Sequence, residues 1–195
     1  SDLLTRFNIE ADIVNADEIL EKTRTCLKNN YQNSFICIAS LEGLRPPNNW
    51  ADEKNKGAKA ELSRILDSNL TIDEVKIFDL VIIDEAHYLR NQTTANNRLG
   101  KSLRDSARHL ILLTATPIQI NSFNLYELLR IINPDEFFDR AVFEEMLNAN
   151  APLIKTLRLL LQNPLDLNSV IQELDITLKS KYFSKNTVLQ QIREQ

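Results

Sequence analysis

The stretch Phe78-Asp79-Leu80-Val81-Ile82-Ile83-Asp84-Glu85-Ala86-His87 sets an unbroken aliphatic run directly against two adjacent carboxylates. A buried strand ending so abruptly delivers both acids to the C-terminal edge of a parallel sheet, where open α/β folds bind ligands. Neighbouring carboxylates repel and therefore require a cation or separate tasks. Hydrolysis of a nucleoside triphosphate supplies both. Asp84 would hold Mg²⁺ bridging the β- and γ-phosphates, and Glu85 would orient or deprotonate the attacking water. His87 can pass a hydrogen bond to the next strand. That strand ends Leu112-Leu113-Thr114-Ala115-Thr116-Pro117, and hydroxyls at i and i+2 of an extended segment project to one side, within reach of a carboxylate or histidine. Each pattern alone also suits plain structure, since acids after a strand cap helices and Thr-x-Thr-Pro can be a strand exit. Together, in this order and on consecutive strands, they point to nucleotide chemistry.

The elements that must position these residues follow from the hydrophobic period, which switches repeatedly between strand and helix patterns. Ile13-Val14, Phe35 to Ala39, Val75 to Ile83 and Arg108 to Thr114 read as four strands. A helix from about Asp17 shares Ile19, Leu20, Thr23, Cys26 and Leu27 on one face. A second, from Asp52 to Ser68, carries the narrow stripe Leu62, Ile65 and Leu66, and a third is marked by Leu99, Leu103 and Ala107. Apolar strands alternating with helices predict an α/β fold whose parallel sheet is covered on both faces. After Pro117 the strands stop. Four helices are predicted there, on Leu125, Leu128, Leu129 and Ile132; on Val142, Phe143, Met146 and Leu147; on Leu153 to Leu161; and on Leu167 to Leu178, the last capped by Asp166 or Asn168. The predicted domains are 1–150 and a helical extension, 151–195.

A chain of 195 residues, 43% apolar and 26% charged, suits one domain with at most a modest appendage, and excludes both disorder and a membrane span. The net charge of −4 lacks the basic footprint of a nucleic-acid binder, so any DNA contact must be local or completed by sequence outside these 195 residues. Two cysteines, Cys26 and Cys37, make no disulfide framework, which predicts a reducing cytoplasm. Cys26, Cys37, His87 and His109 lack paired zinc-ligand spacing, and no nucleophile elbow is present. Only three glycines occur, where about 14 would be average.

The run Asp84-Glu85-Ala86-His87-Tyr88-Leu89-Arg90-Asn91, then Leu112 to Gln119 (LLTATPIQ), then Asn133-Pro134-Asp135-Glu136-Phe137 resembles the first RecA-like lobe of a superfamily 2 ATPase of the Swi/Snf type, with the bacterial RapA-like group the nearest fit. Leu89-Arg90-Asn91 matches the segment that follows the family's acidic (DEAH) box. Ser40-Leu41-Glu42 resembles its motif at the DNA backbone. The resemblance covers about residues 1 to 140. It implies a parallel RecA-like sheet with helices on both faces and an ATP-driven translocase on double-stranded DNA that uses Mg²⁺. By the same resemblance Asp84 binds the metal and Glu85 activates water. His87, Thr114, Thr116 and Gln119 couple the nucleotide site to DNA, and Ser40 and Leu41 lie near the tracked strand.

Such an ATPase also needs a glycine-rich phosphate loop. Ala95-Asn96-Asn97-Arg98-Leu99-Gly100-Lys101-Ser102 satisfies a relaxed form of that pattern, but it has one glycine, no strand leading into it, and lies inside the helix marked by Leu99 and Leu103. The expectation is therefore a lobe incomplete at the phosphate-loop strand and nearly inactive alone, with the second RecA-like lobe of the full-length chain as partner. Open strand edges predict self-association. The alternative is a non-catalytic interaction module, against which the intact acid pair argues. An RNA helicase is disfavoured by Pro117-Ile118-Gln119. Lys179, Lys181 and Lys185 around Tyr182 and Phe183 read as a solvated helix end before a DNA contact.

Overall fold

The computed structural model describes residues 2–68, 76–115 and 122–194, which divide into two compact units, Ser1–Glu136 and Phe137–Gln195. The first unit opens with a short helix, α1 (Asp2–Phe7), and a short strand, β1 (Asp12–Ile13). Asn15 then accepts hydrogen bonds from the N–H groups of Asp17 and Glu18 at 2.9 and 3.1 Å, while Glu18 Oε2 accepts from Asn15 N–H at 2.8 Å. This reciprocal capping box starts α2 (Ala16–Lys28), which buries Ile19, Leu20, Thr23 and Cys26 as its period requires.

β2 (Cys37–Ile38) pairs in parallel with β1, and β3 (Phe78–Ile83) pairs in parallel with β4 (Ala107–Leu112), with Val81 opposite Leu110 and Ile83 opposite Leu112. Among the described residues, the single sheet expected from sequence is thus two separate two-stranded sheets. The strands β1 and β2 are two residues long, too short to extend a ladder, and Phe35, just before β2, meets Phe78 of β3 edge-on at 6.2 Å. Val75, expected in the third strand, lies outside the described residues.

Coverage of the β3–β4 sheet also differs from expectation. Val81, Ile83, Leu110 and Leu112 pack on a core that includes Leu62, Leu66, Leu99 and Ile131. Residues alternate faces along a strand, and on the opposite face Leu80, Ile82 and Ile111 remain 50%, 55% and 43% exposed. Among the described residues, helices cover one face of this sheet.

Three helices supply those core residues. α4 (Ala58–Ser68) begins later than Asp52, because the preceding segment is held in turns. Asp52 Oδ1 accepts from Lys54 N–H and Asn55 Oδ1 from Gly57 N–H, while the Arg64 guanidinium donates to the carbonyls of Trp50, Asp52 and Asn55 at 2.6 to 3.0 Å. α5 (Ala95–Ser106) starts at the cap Thr94 and feeds directly into β4. Ser106, fully buried, donates to Leu66 O at 3.1 Å and ties α5 to α4. In α6 (Ser122–Ile132) the buried face is Tyr126, Glu127, Leu128 and Ile131, so the expected stripe is rotated and Leu125 and Ile132 are exposed.

The second unit is helical. α7 (Arg140–Leu160) runs through Pro152, joining two expected helices into one and passing through the expected boundary at residue 150. The missing proline N–H removes one intrahelical bond, but side chains bind the helix on either side: Asn150 Nδ2 donates to Met146 O at 2.9 Å and Thr156 Oγ1 to Pro152 O at 3.0 Å. α8 (Leu167–Lys179), capped by Asp166 and packed through Val170 and Leu174, is tied to α7 by Lys155 and Glu173 at 2.5 Å. Lys181 binds Glu145 at 2.8 Å and sits 5.1 Å over the Tyr182 ring, so that ammonium is engaged within the unit. A final helix, α9 (Thr187–Glu194), was not signalled by the hydrophobic period; Arg193 binds Asp175 on α8. No helix among the described residues is long and apolar enough to cross a membrane.

Candidate functional site

The strands β3 and β4 end side by side, and the chain crosses between their exits. Leu113 N–H donates to Ile83 O at 2.9 Å, and Ala86 N–H donates to Leu113 O at 2.8 Å. These two bonds seat the acidic pair against the start of the threonine segment, so Asp84, Glu85, His87 and Thr114 share one sheet edge. Thr116 and Gln119 lie outside the described residues.

A sharp local turn presents the acids. Asp84 Oδ1 accepts from Glu85 N–H at 2.8 Å, and Glu85 takes the left-handed conformation at φ 50° and ψ 42°. That conformation costs a non-glycine residue about 1–2 kcal/mol, and such strain gathers at functional sites. Both carboxylates are exposed. The chain then forms a 3₁₀ turn, Ala86–Leu89, whose ends Ala86 and Leu89 are fully buried. The Glu85 carboxylate stands 3.1 Å from His87 Nδ1, and the His87 ring lies on Tyr88 with centroids 4.1 Å apart.

Residues that sequence reasoning did not single out as functional fasten this turn from behind. Asn97, 1% exposed, donates from Nδ2 to Leu89 O at 2.7 Å. Gly100 faces Leu89 so closely that a Cβ there would stand 3.0 Å from Leu89 Cδ1. Gln92 Nε2 donates at 2.8 Å to the buried carboxylate of Glu127, joining the segment after the turn to α6. The only sequence signal for Asn97 and Gly100 was their place in the run 95–102 that resembles a phosphate loop. That run lies wholly within α5. Glu127 carried no signal beyond being a charge on the apolar side of its helix.

Asp84 suits a hard cation, because one oxygen is turned to Glu85 N–H and the exposed carboxylate makes no other bond to the described residues. Mg²⁺ is held by one or two carboxylates together with substrate phosphates and waters, so an acid of this kind fits its needs. The described residues hold no cluster of three or more His, Cys, Asp or Glu that could cage a metal. Cys26 and Cys37 are unpaired, and burial pushes both thiols above their usual range, away from thiolate reactivity. Ser40 caps α3 (Leu41–Leu44), its hydroxyl oxygen accepting from Gly43 N–H at 2.9 Å. Its O–H proton remains available to a further acceptor.

Comparison with known proteins extends the picture. RNA polymerase-associated protein RapA of Stutzerimonas stutzeri (strain A1501) is 26% identical over 159 residues, covering 80% of this chain and 14% of that relative. A family model, the SNF2-related domain, matches residues 10–190. This match takes in both strand exits and continues beyond residue 140, where the sequence resemblance thinned, through α7 and α8 and into α9. A match of that extent places the chain in the SNF2-related domain family, among helicase-like superfamily 2 ATPases of the Swi/Snf type.

Proposed function

We propose that this chain supplies the metal, water and coupling half of an ATP hydrolysis site in a protein that translocates along double-stranded DNA. The observation that carries the reading is the Ala86–Leu113 hydrogen bond, which seats the acidic turn on the threonine strand. Bound Mg²⁺-ATP would supply the electrophilic phosphoryl group and the cation that neutralises its charge. Asp84 offers the carboxylate ligand for that cation. Glu85, at the strained position beside it, accepts a hydrogen bond from the attacking water and takes its proton. A change at the acidic turn moves Leu113 and with it Thr114; Thr116 and Gln119, by family resemblance, carry the same signal onward.

DNA contact falls to Ser40 and Leu41 at the start of α3. The Ser40 hydroxyl, already accepting from Gly43, can donate to a phosphate oxygen without giving up its cap. The remaining catalytic groups, a phosphate loop and arginines, belong in this reading to other parts of a longer protein that include a second RecA-like lobe. An arginine finger contributes about 10³ to 10⁵ in rate to related phosphoryl transfers, so the chain alone is nearly inactive. The proposed setting is the cytoplasm, consistent with two unpaired thiols.

Phosphate release tests the reading. The full-length protein is expected to hydrolyse ATP faster with double-stranded DNA, and to lose that activity in Asp84→Ala and Glu85→Gln. A full-length protein that binds DNA or a protein partner but never turns over ATP is instead an interaction module. Asp84-dependent hydrolysis by the 195-residue chain alone would overturn the half-site reading.

A further inference from the structure

We propose that His87 is a positioning residue for Glu85, its Nδ1–H donating to the carboxylate and its Nε2 left as an acceptor. Two observations carry this. His87 Nδ1 is buried and has no well-aligned hydrogen-bond partner among the described residues. Glu85 Oε2 stands 3.1 Å away, close enough to bond but not yet in line. Buried polar atoms are rarely left unbonded, and a small rotation of the half-exposed Glu85 side chain completes this pair. The left-handed backbone at Glu85 is what brings side chains two residues apart face to face. The imidazole lies on the Tyr88 ring, and the backbone of its turn is pinned to Leu113 through Ala86.

The consequences are chemical. A neutral imidazole carries one N–H, and the hydrogen bond made by one nitrogen decides what the other can do. With the proton on Nδ1, one oxygen of Glu85 is held and the other is left for water. Nε2 then accepts from a hydroxyl and cannot donate to one. His87 therefore fixes one oxygen of the water-activating acid and leaves the other free to face water. The inference rests on the hydrolytic reading of Glu85 for its purpose, but not for its detection.

The chain has two histidines, so ¹⁵N-histidine labelling and long-range ¹H–¹⁵N correlation read the tautomer of His87 directly. His109, exposed on β4, serves as internal control for the fold. His87 is expected as the Nδ1–H tautomer, reverting to Nε2–H in Glu85→Ala and Glu85→Gly. Glycine accepts the left-handed backbone, so the second variant keeps the turn while removing the carboxylate. An Nε2–H tautomer in the unaltered chain, or Nδ1–H persisting in Glu85→Gly with the His109 signals unmoved, overturns the proposal.

A second arm uses the full-length protein. His87→Asn places an amide near Nδ1, and His87→Gln places one near Nε2. The first is expected to keep a kcat about 10-fold above the second with similar KM for ATP, a common scale for losing an orienting partner. Equal loss in both variants also overturns the proposal. If His87 shows the expected tautomer but the full-length protein never hydrolyses ATP, the functional reading fails and the geometry stands. If ATP is hydrolysed but His87 is the Nε2–H tautomer, the inference alone fails.

Discussion

Gly100 is required by space, not by conformational freedom, because no glycine among the described residues has a positive φ. A Cβ at position 100 would stand 3.0 and 3.3 Å from Leu89 Cδ1 and Cδ2, and Leu89 is fully buried, with no solvent to swing into. Two effects oppose each other in Gly100→Ala. Helix propensity favours alanine by about 1 kcal/mol, while forcing a methyl into a filled core costs about 1–3 kcal/mol. The net expectation is destabilisation of about 0–2 kcal/mol. Leu89→Ala removes the obstructing atoms at its own cost of about 2–5 kcal/mol. In that background only the propensity gain remains, and Gly100→Ala is expected to stabilise by about 1 kcal/mol. The two changes should therefore couple by about 1–3 kcal/mol. Urea denaturation of the four members of the cycle measures this, provided the slopes with denaturant agree. Equal stabilisation by Gly100→Ala in both backgrounds would refute the claim that this glycine exists to seat α5 on the acidic turn.

Three further outcomes follow from single side chains. Thr23 is fully buried in α2 and its Oγ1 has no partner among the described residues; Thr23→Val keeps the shape, removes the unbonded hydroxyl, and is expected to raise stability by about 1 kcal/mol in the same assay. Asn97→Ala deprives Leu89 O of its buried donor and should cost about 1–3 kcal/mol, with faster amide exchange at Tyr88 to Arg90; unchanged exchange there would count against the clamp. The Asp166 carboxyl lies below its usual range, chiefly through the Ser169 hydroxyl and then backbone N–H groups. A depressed folded value means that this support of α8 is present above the ordinary aspartate range and vanishes as pH falls through the lowered one. Asp166→Ala should therefore lower Tm at neutral pH and leave it unchanged in strong acid.

What could be read in the sequence was whatever depends on local period and on abrupt changes of residue type. Ile19, Leu20, Thr23 and Cys26 share a face because a helix has one period, whatever lies around it. The edge position of Asp84 and Glu85 followed from an apolar run meeting two charges. Pairing between distant strands has no such local signature. Phe35 to Ala39 is as apolar as Val81 to Ile83, yet only Cys37 and Ile38 enter a ladder. The helix expected from Asp52 failed for a different reason. Its composition is helical, but Arg64 holds three carbonyls of the segment in turns, a tertiary contact that propensity does not contain. Pro152 misled in the opposite direction, since α7 continues through a residue type that more often marks a helix boundary.

The residues 95–102 sharpen the point for the site itself. A single glycine followed by lysine and serine has the look of a phosphate loop, and its backbone N–H groups would need to be free to serve as one. In α5 they are within a helix begun by the Thr94 cap. The side chains of the same run have another task. Asn97 donates to the last carbonyl of the acidic turn, and the absent side chain of Gly100 lets that turn approach. Burial separates the two roles: a loop that cradles phosphate must face solvent, whereas Asn97 and Leu99 are each 1% exposed. The segment that imitates a phosphate loop therefore has a structural task, holding the strained Glu85 turn against the end of β4.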